Sequence, residues 1–104
     1  MTLYAARRNR LRKLVLQAKA DALLVSNFKN VTYLTGFTGD DSFLLLTESG
    51  ETLISDKRYS TQLEVECPGL KLEIRGPGER MVPVTVGVIK RTRVKRLGIE
   101  AESA

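Results

Sequence analysis

The sequence predicts an α/β fold in which a single mixed β-sheet is flanked by helices on both faces. Three observations support this prediction. A helical pattern is followed at once by a buried strand near the start of the chain, an apolar hairpin occupies its middle, and a further strand pattern, a helix and a strand complete it. With 104 residues the chain suits one compact domain, so residues 1–104 are expected to form a single domain.

The first elements follow from hydrophobic spacing. A helix is predicted over Leu3–Ala20, because apolar residues recur every three to four positions with arginines between them, and Thr2 is its expected N-cap. Ala22–Val25 is a short apolar run typical of a buried strand. A short helix is predicted over Phe28–Thr35, ended by Gly36, which tolerates a positive φ.

The middle of the chain reads as a hairpin. Its strands are predicted over Ser42–Thr47 and Thr52–Ser55, with Gly50 in the turn between them. The remaining predicted elements are a helix over Arg58–Glu66 that Pro68 and Gly69 stop, a half-exposed strand over Leu70–Ile74, and a last strand over Arg96–Glu100.

Residues 81–92 carry two patterns. Valines at every second position from Val82 to Val88 favour a strand. A helical stripe is also present at Val82, Thr85, Val86 and Ile89. We expect a helix, because Pro83 is acceptable in a first helical turn but unwelcome in a central strand.

Composition excludes several kinds of active site. The chain has no histidine, so it cannot supply a Ser-His or Cys-His dyad or a histidine metal ligand. Its single cysteine, Cys67, excludes an internal disulfide and a thiolate zinc cluster. The acidic residues follow no recognisable ligand spacing: Asp40, Asp41, Glu64, Glu66 and Glu100. We therefore expect no catalytic residue, no metal site and no cofactor within this chain.

The sequence also predicts the compartment. The most apolar run, Phe43–Leu46, is far too short for a bilayer span, which needs about 20 residues. The N-terminus is basic but lacks the apolar region of a secretory signal. We expect a cytoplasmic protein without a membrane partner.

Net charge is +5, and the basic residues form two clusters, within residues 7–13 and residues 90–96. Such clusters can bind nucleic acid. However, Tyr4 is the only aromatic residue near the first cluster and none interleaves the second, so stacking platforms are missing. Solvated surface is the simpler interpretation, and we expect no nucleic-acid partner.

The loop after Gly36 is the best candidate for a ligand-facing surface. It contains Phe37, Thr38, Gly39, Asp40 and Asp41. Gly36 and Gly39 let the backbone approach a ligand, and Phe37 offers a flat apolar contact for a small peptide or a proline ring. The alternative is a tight connection in which Phe37 is tucked into the core.

A second candidate element is Asp56-Lys57-Arg58-Tyr59. Asp56 directly follows a strand and can cap the next helix. The Arg58 fork suits a carboxylate, which could be Asp56, Asp41 or the C-terminus of a peptide. A structural ion pair is the preferred interpretation, with the Tyr59 hydroxyl at the surface.

Residues 30–59 resemble a known family. The run NVTYLTGFTGDDSFLLLTESGETLISDKRY resembles the signature NVxYLTGFxG … LxxDxRY of the N-terminal domain of the creatinase, prolidase and aminopeptidase P family. The resemblance extends from about residue 11 to residue 100. It implies the mixed-sheet fold, a helix at residues 81–92, and a loop that faces a catalytic cleft, often that of a neighbouring subunit.

The resemblance also implies that the chemistry lies elsewhere. In this family a separate C-terminal domain holds a pair of divalent metal ions (manganese, cobalt or zinc) through two Asp, one His and two Glu. We expect this chain to be a piece of a longer polypeptide, inactive alone, whose partners are that catalytic domain, a second copy and short proline-containing peptides.

The loop departs from the family pattern at one place. Related enzymes usually carry small residues after the second glycine, where this chain has Asp40 and Asp41. One hypothesis is that a carboxylate here attracts the free α-amino group of a substrate. The alternative is that both are solvated turn residues.

Two functions follow. The first is the accessory domain of a metal-dependent Xaa-Pro dipeptidase or aminopeptidase P, which shapes the substrate cleft and the dimer interface. The alternative is a non-catalytic peptide- or protein-binding module of the same fold, because fold alone does not fix activity.

Overall fold

One mixed sheet contains the five strands of the computed structural model, which describes residues 2–100: β1 (Ala22–Val25), β2 (Phe43–Thr47), β3 (Glu51–Asp56), β4 (Leu72–Arg75) and β5 (Leu97–Ile99). The strand order is β4-β3-β2-β1-β5. The two central pairs, β1 with β2 and β2 with β3, are antiparallel, and each edge strand is parallel to its neighbour. The prediction of a single mixed sheet is confirmed.

Four helices cover both faces of this sheet: α1 (Leu3–Gln17), α2 (Phe28–Thr35), α3 (Ser60–Glu66) and α4 (Met81–Arg91). A short 3-10 turn, Lys57–Tyr59, precedes α3. Compared with the predicted elements, α1 ends three residues earlier and β4 lies slightly later in the chain. Within the described residues, no helix is long and apolar enough to cross a membrane.

The helices pack on two hydrophobic cores, one on each face of the sheet. Neighbouring residues of a strand point to opposite faces, so Leu44 and Leu53 enter one core while Leu45 and Ile54 enter the other. The first core receives buried side chains from α2 and α3, and the second receives Val88 of α4. The loop that follows α2 contributes Phe37 to the first core.

Helix α4 confirms the helical interpretation of residues 81–92. Pro83 lies in its first turn, where a missing N–H leaves no helical hydrogen bond unmade. Thr85 and Val88 are buried, whereas Val82 is 63% exposed and Val86 is 42% exposed. The predicted apolar stripe was therefore wrong for Val82 and Val86, which face solvent instead of the core.

Helix α1 corrects the prediction that its arginines are simply solvated. None of its residues is fully buried, and Leu14 of the predicted apolar stripe is 56% exposed. Instead, Arg8 Nε lies 2.7 Å from Glu51 Oε1, and Arg12 Nη2 lies 2.6 Å from Glu51 Oε2. All three of these side chains are less than 20% exposed.

The same two arginines also donate to backbone carbonyls. Arg8 Nη1 donates to the Leu34 carbonyl at 2.8 Å, and Arg12 Nε donates to the Thr47 carbonyl at 2.7 Å. Guanidinium groups thus hold helix α1 to α2 and to the hairpin, in addition to the packing of Leu11 against the first core.

Glu100 fixes the start of α2. Its Oε1 accepts from the backbone N–H groups of Ser26 at 2.6 Å and Asn27 at 2.9 Å, and its Oε2 accepts from the Asn30 side chain. A carboxylate at a helix N-terminus satisfies donors that the helix leaves free. The chain after β5 is therefore tied to the beginning of α2.

Candidate functional site

The loop that follows α2 is anchored by a buried aromatic ring. Gly36 ends the helix in the left-handed region, with φ 81°, and its N–H donates to the Thr32 carbonyl at 2.8 Å. Phe37 is fully buried in the first core. Its ring packs edge to face against Tyr59, with the two ring centroids 5.4 Å apart. The tucked arrangement is the one present, so the expectation that Phe37 offers a contact surface to a ligand was wrong.

Gly39 is required by this packing. A Cβ atom at this position would lie 2.4 Å from Cζ of Phe37 and 2.9 Å from Cε1 of Tyr59. Such contacts are closer than van der Waals packing permits. The glycine therefore serves a close approach of backbone to aromatic rings, and it is itself buried.

The two loop aspartates are exposed, and each has a partner on the Asp56–Tyr59 segment. The Tyr59 hydroxyl donates to Asp40 Oδ1 at 2.6 Å, and this hydrogen bond raises the pKa of Tyr59 above its usual range. Arg58 Nη2 donates to Asp41 Oδ2 at 3.2 Å. Asp41 has a φ of 52°, a conformation that aspartate tolerates better than most residues. The loop thus displays two carboxylates at fixed positions.

Thr38 is held from a third direction by Glu66. Its N–H donates to Glu66 Oε1 at 2.8 Å, and its hydroxyl donates to Glu66 Oε2 at 2.9 Å. The backbone hydrogen bond lowers the pKa of Glu66. Gln62 Nε2 donates to the Thr38 hydroxyl at 2.9 Å. Sequence reasoning did not find these contacts, although Gln62 and Glu66 stand four residues apart and share one side of α3.

Asp56 is the centre of a paired cluster. It accepts from the Arg58 N–H at 2.9 Å, the contact expected of a cap, and also binds the Arg58 side chain through Nε at 3.0 Å and Nη2 at 2.8 Å. These hydrogen bonds from Arg58 lower the pKa of Asp56 to about 2. Arg75, which sequence reasoning missed, donates through Nη2 to Asp56 Oδ2 at 3.1 Å. Arg75 was missed because strand pairing, not sequence spacing, brings it beside Asp56.

The arrangement supports binding and orientation. Fixed, exposed carboxylates favour a cation such as an ammonium group. Within residues 2–100 no group of three or more His, Cys, Asp or Glu side chains lies close enough to hold a metal ion. The expected metal pair stays a prediction about another domain.

Comparisons with known proteins agree with this architecture. The family model of the creatinase/prolidase N-terminal domain matches residues 7–104. The N-terminal domain of the cytoplasmic peptidase PepQ from Mycobacterium tuberculosis superposes with a TM-score of 0.82 at 34% identity, covering 91% of this chain and 72% of that one. The X-Pro aminopeptidase from Thermotoga maritima superposes with a TM-score of 0.77 at 26% identity, covering 90% of this chain and 26% of that one.

A further relative, identified by its sequence, is much longer than this chain. The uncharacterized peptidase YqhT of Bacillus subtilis is 33% identical over 94 residues, which cover 90% of this chain and 26% of that protein. The chain therefore spans about a quarter of the relative that it matches.

Proposed function

The chain belongs to the creatinase/prolidase N-terminal domain family, and from this premise we propose that it is the accessory domain of a metal-dependent Xaa-Pro peptidase. In this proposal it shapes the substrate cleft and does not carry out hydrolysis. One observation supports this role above all: residues 38–41 are held from three directions, by Tyr59, Arg58 and Glu66, and still expose two carboxylates. A surface built in this way positions a ligand without loop rearrangement.

The loop carboxylates define what such a surface selects. Asp40 and Asp41 attract the free α-amino group of a short peptide, because an ammonium group favours a nearby carboxylate. Their contacts with Tyr59 and Arg58 set the direction in which each carboxylate points. The preferred substrates are short proline-containing peptides with a free N-terminus.

A catalytic domain of the same polypeptide completes the proposal. There a pair of divalent metal ions (manganese, cobalt or zinc) supplies an activated water for attack on the bond to proline. The residues of this chain contribute binding and orientation only. The peptidases among its relatives support this division, since the chain matches only a fraction of YqhT and of the Thermotoga maritima aminopeptidase.

The proposed assembly is a cytoplasmic homodimer. The relative from Mycobacterium tuberculosis is a cytoplasmic peptidase, which supports the compartment. Large apolar side chains at the surface support contacts with further protein: Leu3 is 59% exposed, Phe28 is 51% exposed and Ile99 is 72% exposed. Light scattering of the full polypeptide measures its molar mass in solution. The mass of a monomer would contradict the proposed homodimer.

The decisive experiment uses the full polypeptide encoded by this reading frame, with added manganese or cobalt. Hydrolysis is measured on Xaa-Pro dipeptides and tripeptides and on matched peptides without proline, with the 104-residue chain as a control. We expect cleavage only at proline bonds and none by the chain alone. Absence of cleavage with any metal, or of the Asp, Asp, His, Glu, Glu set beyond residue 104, would favour the binding-module alternative.

The loop is tested by the double variant Asp40→Asn, Asp41→Asn. An exposed ion pair contributes about 0.2 to 1 kcal/mol, so KM for peptides with a free amino group should rise roughly 1.4- to fivefold. N-acetylated peptides should show no such change. The control is Glu48→Gln, an exposed charge change in the hairpin turn. An equal change for free and acetylated peptides would contradict the role of the aspartates.

A further inference from the structure

A groove of about 520 Å³ runs between α1 and α2, on the face of the sheet that carries the first core. Its volume lies within the range usual for binding sites. Apolar side chains from α1, α2 and β1 form most of its lining: Leu11, Leu14, Leu23, Val25, Tyr33 and Leu34. Two of them are largely exposed, Leu14 at 56% and Tyr33 at 51%. A contiguous apolar surface that water reaches is typical of an interaction site.

The edge of the sheet leaves this groove open on one side. Gly98 of β5 is the register partner of Leu23, whereas its neighbours Leu97 and Ile99 pair with residues that point to the other face. A Cβ atom at Gly98 would already lie 3.3 Å from Cδ1 of Leu23. The edge strand therefore places no side chain over Leu23, and the groove is accessible from outside.

The rim of the groove is positively charged. The elements that form it, α1, α2, β1 and β5, contain no acidic residue. Helix α1 carries five basic residues, of which Arg8 and Arg12 pair with Glu51 and do not line the groove. Arg7 and Arg10 do line it, and neither forms an ion pair with a carboxylate of residues 2–100. The groove therefore has two guanidinium groups at its rim that no ion pair within the described chain neutralises.

An aromatic ring and a carbonyl hold Arg7 in place. Its Nη1 donates to the Tyr33 carbonyl at 2.9 Å, and its guanidinium carbon lies 4.0 Å from the centre of the Tyr33 ring. A cation over the face of an aromatic ring is attracted by the ring and keeps its full charge. The position of this cation at the rim is thus fixed before anything binds.

Glu100 is the carboxylate that the described chain contributes to the lining. It already accepts hydrogen bonds from the N–H groups of Ser26 and Asn27 and from the side chain of Asn30. Its charge is therefore used at the start of α2. Two cations and one carboxylate leave the lining with one net positive charge.

The wall formed by α1 indicates which occupant fits. Arg7 and Arg10 are three residues apart, and beside them Leu11 and Leu14 are also three residues apart. Residues at this spacing share one side of a helix, so α1 presents a basic row next to an apolar row. The complementary surface is another helix, with an apolar row next to a row of carboxylates. A symmetric contact with a second copy of the chain would instead place arginines against arginines.

We propose that this groove docks an acidic amphipathic helix of a partner protein. Apolar side chains of the guest helix lie on Leu11, Leu14 and Leu23, and its carboxylates lie beside Arg7 and Arg10. From Arg7 to Leu14 the groove spans about 10 Å, or two helical turns, so the contact is small and readily reversed. The loop of residues 38–41 does not line the groove, and the proposal does not rest on the peptidase function.

The test is an NMR titration of the 104-residue chain with the peptide ELAELLEELAELLE, acetylated and amidated at its ends. Its leucines follow helical spacing and its glutamates flank them. In one control peptide lysine replaces every glutamate, and in the other alanine replaces every leucine. We expect a saturable shift of the backbone signals of α1, Tyr33 and Leu34 with the first peptide and none with the controls. Absence of saturation, equal shifts with a control peptide, or shifts confined to other parts of the chain would overturn the proposal.

Two pairs of variants separate the groove from general attraction between opposite charges. Leu14→Ala should weaken binding of the acidic peptide roughly three- to tenfold, because less apolar surface is buried. Leu16→Ala, at an exposed leucine of the same helix outside the groove lining, should leave binding unchanged. Arg10→Gln should weaken it roughly 1.4- to fivefold, the range of an exposed ion pair, and Lys90→Gln, outside the lining, should not. Equal weakening within either pair would also overturn the groove as the site.

The same NMR signals would reveal a different occupant. If the groove signals shift with the concentration of the chain alone, the groove belongs to a second copy. If a thymidine oligonucleotide shifts them at lower concentration than the acidic peptide, it belongs to nucleic acid. Either result would overturn the acidic helix. Failure of the proposed peptidase function would be seen only in the hydrolysis assay of the full polypeptide, so the two proposals fail separately.

Discussion

Replacing Glu51 with glutamine removes the charge that holds helix α1 to the sheet. Glu51 receives Arg8 on one carboxylate oxygen and Arg12 on the other, at 2.7 Å and 2.6 Å. The three side chains are 19%, 13% and 15% exposed, so water replaces little of the lost interaction. Glutamine keeps the shape of the side chain and leaves both guanidinium groups without a counter-charge.

The expected cost follows from this geometry. Removing one partner of a buried ion pair costs about 3 to 5 kcal/mol, since a charge is left unpaired. Here Arg8 and Arg12 keep their contacts with the Leu34 and Thr47 carbonyls and some exposure. We therefore expect a loss of about 2 to 3 kcal/mol in the free energy of unfolding, a large share of the 5 to 15 kcal/mol usual for a domain.

Urea denaturation at neutral pH measures the free energy, and thermal unfolding should show a midpoint lower by roughly 10 to 20 °C. Glu48→Gln is the matched control, because Glu48 lies in the same hairpin and is exposed. Its cost should stay below about 0.5 kcal/mol. If the two variants cost the same, the arginines do not hold α1 to the sheet and the reasoning is refuted.

Three further outcomes are expected from the loop and its supports. Asp56→Asn should cost about 1 to 2 kcal/mol at neutral pH, and its difference from the unchanged chain should vanish as pH falls from about 4 to 2. The reason is that the pKa of Asp56 is lowered from 3.8 in the unfolded chain to about 2 in the folded one. The stabilisation by Asp56 is therefore fully present above the unfolded pKa and is lost as the pH falls towards the folded pKa. A constant difference in the free energy of unfolding between the two proteins across this pH range would contradict it. Asp40→Asn should lower the pKa of Tyr59 towards the ordinary tyrosine range, which an ultraviolet titration measures, and an unchanged pKa would mean that Asp40 does not control the phenol. Gly39→Ala should cost about 1 to 3 kcal/mol in urea unfolding through its clash with the rings, whereas Gly50→Ala, with open space around it, should be nearly neutral, and equal costs would contradict the close approach.

The overall fold could be predicted because local patterns agreed with one another. Asn27 caps α2 and Gly36 ends it, as their types predict. In α4, proline in the first turn outweighed the alternating valines, because a missing N–H is harmless there and harmful inside a sheet.

The mode of attachment of α1 could not be predicted, because arginine at helical spacing is equally compatible with water and with a buried partner. Glu51 lies more than 30 residues along the chain from both arginines, and no local rule connects them. The periodic leucines suggested a buried stripe, yet Leu14 is largely exposed. Periodicity indicates which residues share a side of a helix, and the rest of the fold decides which side is covered.

The candidate site was only partly predictable for a related reason. The pairing of Arg58 with Asp56 is local and follows from residues two positions apart. By contrast, Phe37 was placed at the surface although its ring fills the core, because two glycines beside an aromatic residue fit a ligand loop and a tight connection equally well. The contributions of Arg75 and Glu66 depend on contacts between distant segments.

Through α2, Glu100 is connected to the loop that carries the two aspartates. It accepts from the N–H groups of Ser26 and Asn27, just before this helix, and the helix ends at Gly36, where the loop with the two aspartates begins. Eight helical residues span about 12 Å. The chain after β5 and the base of the loop are therefore joined through one short helix, which the buried side chains of Val31 and Leu34 fix in the first core.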